Sequence, residues 1–461
     1  MKINPNTLDA YHLLHDGTLA FADAEQAGFR VDMEYVERKK KFLTKKILHL
    51  EEKFKDSKLY QHWEHSAKGK VNIHSHEQLS HFLYNVKKIK IEKQTDTGKG
   101  STDNDALSQM NIPELDILLQ AQKLKKVRDT YLDAFAKEQV DGILHPFFNL
   151  HLPRTYRSSS DSPNFQNIPN RDEESMKLCR QALYPRIGHQ FLELDYSGLE
   201  VRVAACYHKD PTMLKYLHDG HDFHADITKQ IFKLKNFNKF IPEHDVLRDA
   251  TKNGFVFPEF YGDYYKNCAI GLACDWGKLS QGRWKEGEGI PMPEGTLSDH
   301  LINNGLTSLK KFEKHLQELE KIFWRDRFPH YAKWKERWWN LYKKKGYVDL
   351  YTGFRCSGVM NKKEVINYPI QGAAFHCLLW SFIQLNKIFI KGGWKSRIIG
   401  QVHDSILIDL HPSELNRAIK LIKRVTCTDL REAWKWINVP LDVDIELCPI
   451  DGSWADKAKF N

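Results

Sequence analysis

The sequence predicts an α+β fold, a sheet interrupted by a protruding helical subdomain. Three observations point to it. FLELD (191–195) alternates apolar and polar residues at its end, the pattern of a half-buried strand. Residues 212–345 read as mostly helical and strongly aromatic. SRIIGQVHDSILIDL (396–410) then reads as two strands joined by a tight turn around His403 and Asp404, and PLDVDIELCPIDGSW as a further strand and turn.

In chain order, residues 7–55 read as helical. Apolar residues recur at helical spacing through Leu8, Tyr11 and Leu14, and later through Val36, Leu43, Ile47 and Leu50. AGFRVDMEYV between them suits a short strand and a helix start. Residues 56–104 are polar and lysine-rich. KKIKIEKQTDTGKGSTDNDAL carries several turn formers and few core residues, which predicts an exposed, mobile loop. Helices resume near Asp105 to Glu138. From His145, HPFFNLHLPRTYRSSSDSPNFQNIPNR is rich in Pro, Ser and Asn and reads as irregular or extended. No internal repeat or low-complexity tract is evident.

The 461 residues leave room for about three domains or subdomains. A hydrophobic share of 41% and an aromatic share of 12% argue against disorder. The formal charge of +9 favours a polyanionic partner, nucleic acid or an anionic membrane. No run of 18 apolar residues is present, so no spanning helix is expected. MKINPNTLDAYHLLHDG lacks the apolar core of a signal peptide. The eight cysteines form no CxxC pair. The nearest two, Cys268 and Cys274, have poor zinc spacing. They read as reduced core thiols in a cytoplasmic compartment.

Four constellations bear on chemistry. In LELDYSGLEVR (192–202), Asp195 stands at a strand end, where a carboxylate can hold a metal at a sheet rim; taken alone it also reads as a helix cap. In QVHDSILI (401–408), Asp404 stands where one strand turns into the next, and alone it reads as an ordinary turn aspartate. Two such turns in one sheet could bring the carboxylates close, which is costly unless cations neutralise them. Hard oxygens suit Mg²⁺. Two metals about 4 Å apart can stabilise both the attacking and the leaving oxygens of an in-line displacement.

In LRDATKNGFVFPEFYGDYY, Arg248 and Lys252 share a helix face and could grip a triphosphate. Lys252 could give a proton or charge to a leaving pyrophosphate. Phe255, Phe257, Phe260 and Tyr261 offer flat surfaces for a base, and Pro258 should break or bulge the helix. The bland alternative is a solvated cationic face over a buried aromatic stripe. Lastly, FWRDRFPHYAKWKERWWNLYKKKGY interleaves cations with aromatics, as a nucleic-acid contact would. A core helix with a basic outer face has the same look, and we favour the core for most of these aromatics.

Together these segments resemble the family A DNA polymerases, the group of bacterial DNA polymerase I and many phage replicases. DYSGLEVR is similar to the family's DYSQIELR, and QVHDS to its QVHDE. RDATKNGFVFPEFYG resembles its fingers-helix motif in a variant form. RTYRSSSDSPNFQNIPNR, INYPIQGAAFH and VNIHSHEQLSHFL with TGKGSTDNDAL resemble further family segments, so nearly the whole chain is covered.

The resemblance implies a right-hand architecture. Residues 1–144 would form an N-terminal segment and thumb, 145–215 the first part of the palm, 216–344 the fingers, and 345–461 the second part of the palm. It implies primer extension with dNTPs on a DNA template, with two Mg²⁺ ions, or Mn²⁺ as a substitute. Asp195 and Asp404 match the metal-binding aspartates, with the Tyr196 carbonyl as a further ligand. Glu200 matches the glutamate that blocks a ribose 2′-OH. Arg248, Lys252 and His224 match triphosphate ligands, and Tyr261 the tyrosine ending the fingers helix. Arg157, Asn367, Gln371 and His403 match residues around the primer terminus and minor groove. Arg171 and Lys363 would support them or the template strand. Minor-groove acceptors are shared by every correct pair, so such donors could check pair shape without reading sequence.

The chain departs from the pattern in places. Gly198 replaces the usual Gln, and Ser405 replaces the usual acid after Asp404, so the third carboxylate is missing. Lys252 to Tyr261 is one residue longer than usual. Counting back from Tyr261 makes Phe257 the base- and sugar-facing aromatic, and counting forward from Lys252 gives Val256. We take Phe257, with the extra residue as a bulge near Pro258. The thumb-like similarity begins almost at Met1 with no Asp-x-Glu strand before it, which leads us to expect no intrinsic proofreading. A separate exonuclease chain or a processivity factor would then be a partner to a monomer with no membrane attachment, in a bacterial host cell if phage-encoded. The rival readings are a single-subunit RNA polymerase, which Glu200 opposes, and a non-catalytic DNA-binding polymerase homologue.

Overall fold

The computed structural model describes residues 5–460 apart from 68, 92–93, 96–97, 111, 171, 276–288 and 293–294. The elements used below are helices α1 (Thr7–Ala27), α2 (Leu199–His208), α3 (Phe223–Ile231), α4 (Pro242–Thr251), α5 (Phe257–Phe260) and α6 (Lys362–Lys391). The strands are β1 (Gln190–Tyr196), β2 (Arg397–Val402), β3 (Ser405–Leu410), β4 (Val443–Leu447) and β5 (Ala458–Lys459). The chain divides into two compact units. One comprises Met1–Leu43, Lys126–Gly220 and His330–Asn461, the other Thr44–Lys125 and His221–Pro329.

The first unit is built on a sheet of order β2-β3-β1-β4-β5 with antiparallel neighbours throughout. The strands read from FLELD, QVHDSILI and PLDVDIEL are all in it. β1 is more deeply set than a half-buried strand: every residue is covered except Asp195. Its polar position Glu193 is buried because Trp454 Nε1 and Lys457 Nζ both donate to its carboxylate at 2.9 Å. Burial raises that carboxyl, but Lys457 and the Trp454 N–H outweigh it and hold Glu193 below the usual carboxylate range.

Two expectations change in this unit. Leu8 and Tyr11 of α1 are 60% and 61% exposed. The covered face is offset, running through Ala10, Leu13, Gly17, Ala20, Phe21 and Ala24. Small residues there let α1 lie close on α6: a Cβ at Gly17 would meet Leu379 at 3.0 Å. The Asn6–Asp9 capping box starts the helix. The second change concerns α6, which is long and apolar enough to cross a membrane by length and composition; 72% of its apolar window is buried inside the protein. Its polar residues find internal partners, with Ser381 bonded to Tyr196, His376 to Thr352 and Asn386 to Asp23.

In the second unit, the polar stretch 56–104 is helical ahead of the segment expected to be a loop. Helices Lys58–Ser66 and His76–Ser80, the latter running into a π-helical turn over His81–Val86, bury Leu59, Tyr60, Trp63, Leu79, Phe82 and Leu83 in a core with Leu115 and Leu118. The charged residues between them sit on the outer faces, so average polarity concealed the helical spacing. In the aromatic run, Phe323 and Phe328 are buried, as are Tyr331 and Trp334 in the first unit. The other five aromatics of the run, Trp324, Trp338, Trp339, Tyr342 and Tyr347, are half-buried, so the core reading holds fully for four of the nine. Cys179, Cys206, Cys268, Cys356, Cys377 and Cys448 are buried and unbridged.

Candidate functional site

In the first unit, sheet register gathers the carboxylates. Asp195 pairs across the sheet with Ser405 of β3 and Asp444 of β4. Asp404 therefore lies one residue from the partner of Asp195, in the turn joining β2 to β3. The Tyr196 amide donates to the Asp404 carbonyl at 3.3 Å, tying the two strand ends together. The Tyr196 hydroxyl is buried against Ser381 Oγ at 2.7 Å, which anchors the end of β1 to α6. His403 completes the turn at φ +52, a left-handed conformation uncommon outside glycine.

Solvent reaches Asp195 from the rim, yet protein atoms crowd it. Burial pushes its carboxyl up to about 7, with the Asp404 carboxylate as the next cause and Glu193 after it. A cation would relieve the repulsion. Among the described residues, no three His, Cys, Asp or Glu side chains are grouped closely enough to hold an ion. The donor set fits Mg²⁺, which commonly takes one or two carboxylates and completes its shell with water and substrate phosphate.

Ser405 is buried and donates to the Val402 carbonyl at 2.8 Å, away from any ligand role. A third carboxylate nevertheless stands on the same face, because residues directly opposite in an antiparallel pair project together. It is Asp444, which accepts from Ser197 Oγ at 2.8 Å and lies 3.8 Å from Lys459 Nζ. Sequence reasoning missed it, since only register joins 195 to 444.

Glu200 lies in the first turn of α2, which starts at Gly198 in the left-handed region (φ +60) that favours glycine. Its carboxylate is paired with the Arg157 guanidinium. The Arg157 segment is pinned by buried Gln401 of β2, whose Oε1 accepts from Ser158 Oγ at 2.6 Å and Gln166 Nε2 at 2.7 Å, while its amide donates to the His403 carbonyl. Gln401 is a second residue missed from sequence; its place in QVHDS was the available signal. On α6, Asn367 and Gln371 are four apart and half-buried, with Lys363 exposed one turn earlier. Next to Gln371, Gly372 admits the Thr155 backbone, where a Cβ would stand 2.5 Å from the Thr155 carbonyl oxygen. Arg171 lies outside the described residues.

The second unit holds the cations. α4 ends at Thr251 and passes into a π-helical turn, Lys252–Val256, before α5. This π turn ends two residues before Pro258, and it is a place where the extra residue expected near that proline can be accommodated. A π turn adds one residue while restoring the phase of the faces on either side. As a result Phe255 and Val256 are buried, with Phe255 against Phe323. Phe257 turns toward the polar cluster: its ring lies 5.6 Å from Lys252 Nζ, 6.1 Å from Tyr261 and 6.2 Å from His224. Arg248 Nε donates to Asp222 Oδ2 at 2.5 Å. His224 is buried, and burial followed by the charge of Arg248 pushes it down to about 3, so the ring is neutral.

Comparisons with known proteins follow this geometry. The chain is 26% identical over 446 residues to DNA polymerase I of Chloroflexus aurantiacus, covering 93% of this chain and 41% of that protein. It is 25% identical over 429 residues to the DNA polymerase of Bacillus phage SP01, covering 86% and 41%. It therefore spans about two fifths of the length of these relatives. Among solved structures, the POL domain of Pol1 from M. smegmatis, in complex with DNA primer-template and dNTP, superposes with a TM-score of 0.74 at 23% identity, over 96% of this chain and 70% of that one. The fold is therefore the right-hand polymerase architecture. The sequence model of DNA polymerase family A matches residues 35–273 and 309–455, most of the chain, and the chain belongs to that family.

Proposed function

We propose that the chain is a template-directed DNA polymerase that extends a primer 3′-OH with dNTPs and releases pyrophosphate. The observation that carries this reading is the placement of Asp195 and Asp404 at neighbouring positions on one sheet rim, tied by the Tyr196–Asp404 backbone bond. The relatives named above support it.

Asp195, Asp404 and the Tyr196 carbonyl would hold two Mg²⁺ ions, with Mn²⁺ as a substitute. Such ions would supply charge that lowers the pKa of a primer hydroxyl and steadies a leaving pyrophosphate. The chain's own residues do the rest by positioning and charge. Arg248 and Lys252 bind phosphate oxygens, and Lys252 supplies charge or a proton to the leaving group. Phe257 and Tyr261 offer faces to the incoming and templating bases. Glu200 excludes a 2′-OH. Arg157, Asn367, Gln371 and His403 contact the primer end and minor groove, with Lys363 and Arg171 supporting them or the template strand. On this reading, 1–144 serve as N-terminal segment and thumb, 145–215 and 345–461 as palm, and 216–344 as fingers. The setting is DNA replication in a bacterial cytoplasm, that of the host for a phage-encoded chain, by a monomer working with a processivity factor or separate exonuclease.

Primer extension on a long template tests this. Asp404→Ala is expected to lower extension on the order of 10³-fold or more by removing charge stabilisation at the reacting phosphate, while DNA binding persists. Extension at the parental rate would remove the metal assignment, and a preference for rNTPs over dNTPs would turn the reading to an RNA polymerase.

A further inference from the structure

Arg248 is gripped from its side. Nε donates to Asp222 Oδ2 at 2.5 Å, while Nη1 stands 3.6 Å from Asp249 Oδ1. Asp222 is itself fixed. Its Oδ1 accepts from the Ala225 amide at 3.2 Å as the N-cap of α3. Burial raises its carboxyl, but Arg248 and the capping amide more than offset that and keep it ionised. Beside it, His224 is only 8% exposed, and its Nδ1 is buried with no hydrogen-bond partner among the described residues. A polar atom left open in this way suits a ligand that brings its own donors or acceptors.

A carboxylate among Arg248, Lys252 and His224 opposes the binding of a polyanion unless it does something for the cations. The guanidinium is a planar fork of five donors on a flexible stem. With Nε engaged, the stem torsions are fixed and the terminal Nη edge remains for bidentate contact with phosphate oxygens.

We propose that Asp222 is a positioning residue for nucleotide binding, holding Arg248 through Nε so that its terminal edge meets the triphosphate, a role that rests on reading Arg248 as a triphosphate ligand. Ordering one long side chain in advance is worth about two- to tenfold in affinity. A carboxylate that merely competed with the nucleotide for Arg248 would act with the opposite sign.

Asp222→Asn separates charge from capping, because Asn caps a helix as well as Asp does. With its carbonyl oxygen kept on the Ala225 amide, its NH₂ faces Arg248 and cannot accept from it. The full chain is assayed by steady-state primer extension with varied dNTP. The expected result is a KM for dNTP raised about three- to tenfold, kcat within about twofold, and an unchanged melting temperature. Asp222→Ala should give the same KM with a lower melting temperature. In an Arg248→Ala background, Asp222→Asn should change nothing further. A KM that stays the same or falls in Asp222→Asn overturns the proposal, as does an equal rise in the Arg248→Ala background. Arg248→Ala with an unaltered KM would be a distinct failure, of the triphosphate reading itself, and would take the role of Asp222 with it.

Discussion

The rim of the sheet and the helix of the second unit solve opposite problems. At the rim, the Asp404 and Asp444 carboxylates both repel that of Asp195, and the strand ends that carry them must still be held together. Backbone pairing holds them, through β1–β3 and β1–β4 register and the Tyr196–Asp404 bond. On the helix, Arg248 and Lys252 sit on long flexible stems that the backbone cannot aim, and a side chain, Asp222, aims one of them. Like charges need a rigid scaffold, and flexible cations need a partner. Loss of Asp404 should therefore be the most severe, whereas losses on the helix should be smaller and graded.

The largest graded effect is expected from Lys252→Ala, a fall in kcat of about 10²-fold, the cost of one preorganised charge facing the transition state. Single-turnover extension would show it. A fall no greater than twofold would break the contrast, because the helix would then serve only binding. Glu200→Ala comes next. Its carboxylate is paired with Arg157 within the rim's own unit, so its removal should alter selection rather than rate. Discrimination between dNTP and rNTP should drop about 10- to 100-fold. Competition between the two sugars measures this, and undiminished selectivity would refute the sugar-gate role.

The smallest effect is on stability. His208 and His376 in the first unit and His224 in the second are each pushed down to about 3, with burial as the leading cause. Between that value and the ordinary 6.5, the unfolded chain binds protons that the folded chain refuses. Stability is thus complete above about pH 6.5 and falls as pH is lowered. The melting temperature should drop by about 2–4 °C for each kcal/mol lost, so a profile that is level from pH 7.5 to 5 would contradict the burial of these rings.

The rim was largely legible in the sequence. DYSGLEVR and QVHDS named the two aspartates, and the two strands read in 396–410 named the hairpin that carries one of them. Asp444 was not legible, because it reaches Asp195 only across a strand pair. The helix was legible in its residues but not its geometry. The count from Lys252 to Tyr261 showed a surplus residue. Proline, the visible breaker, placed a bulge near Pro258, and the backbone has a π turn over Lys252–Val256, just ahead of it. Asp222 was passed over as a neighbour of His224, since nothing in DGHDFH marks a partner 26 positions later. The helices within 56–104 were hidden for a different reason: polar residues on the outer faces, such as Gln61, Glu64, Glu77 and Gln78, outweigh the few large side chains that form the core.

α6 has a consequence for synthesis. Part of its cover comes from α1 and α2, which precede it in the chain, and part from β2 and residues 424–429, which follow it. A ribosome therefore releases this apolar helix before its cover is complete. Until β2 and residues 424–429 emerge, the nascent chain displays a segment with the length and composition of a membrane span. Chains interrupted after Lys391 should be the ones that aggregate or are drawn to lipid, and the arrival of β2 and residues 424–429 is what ends that exposure.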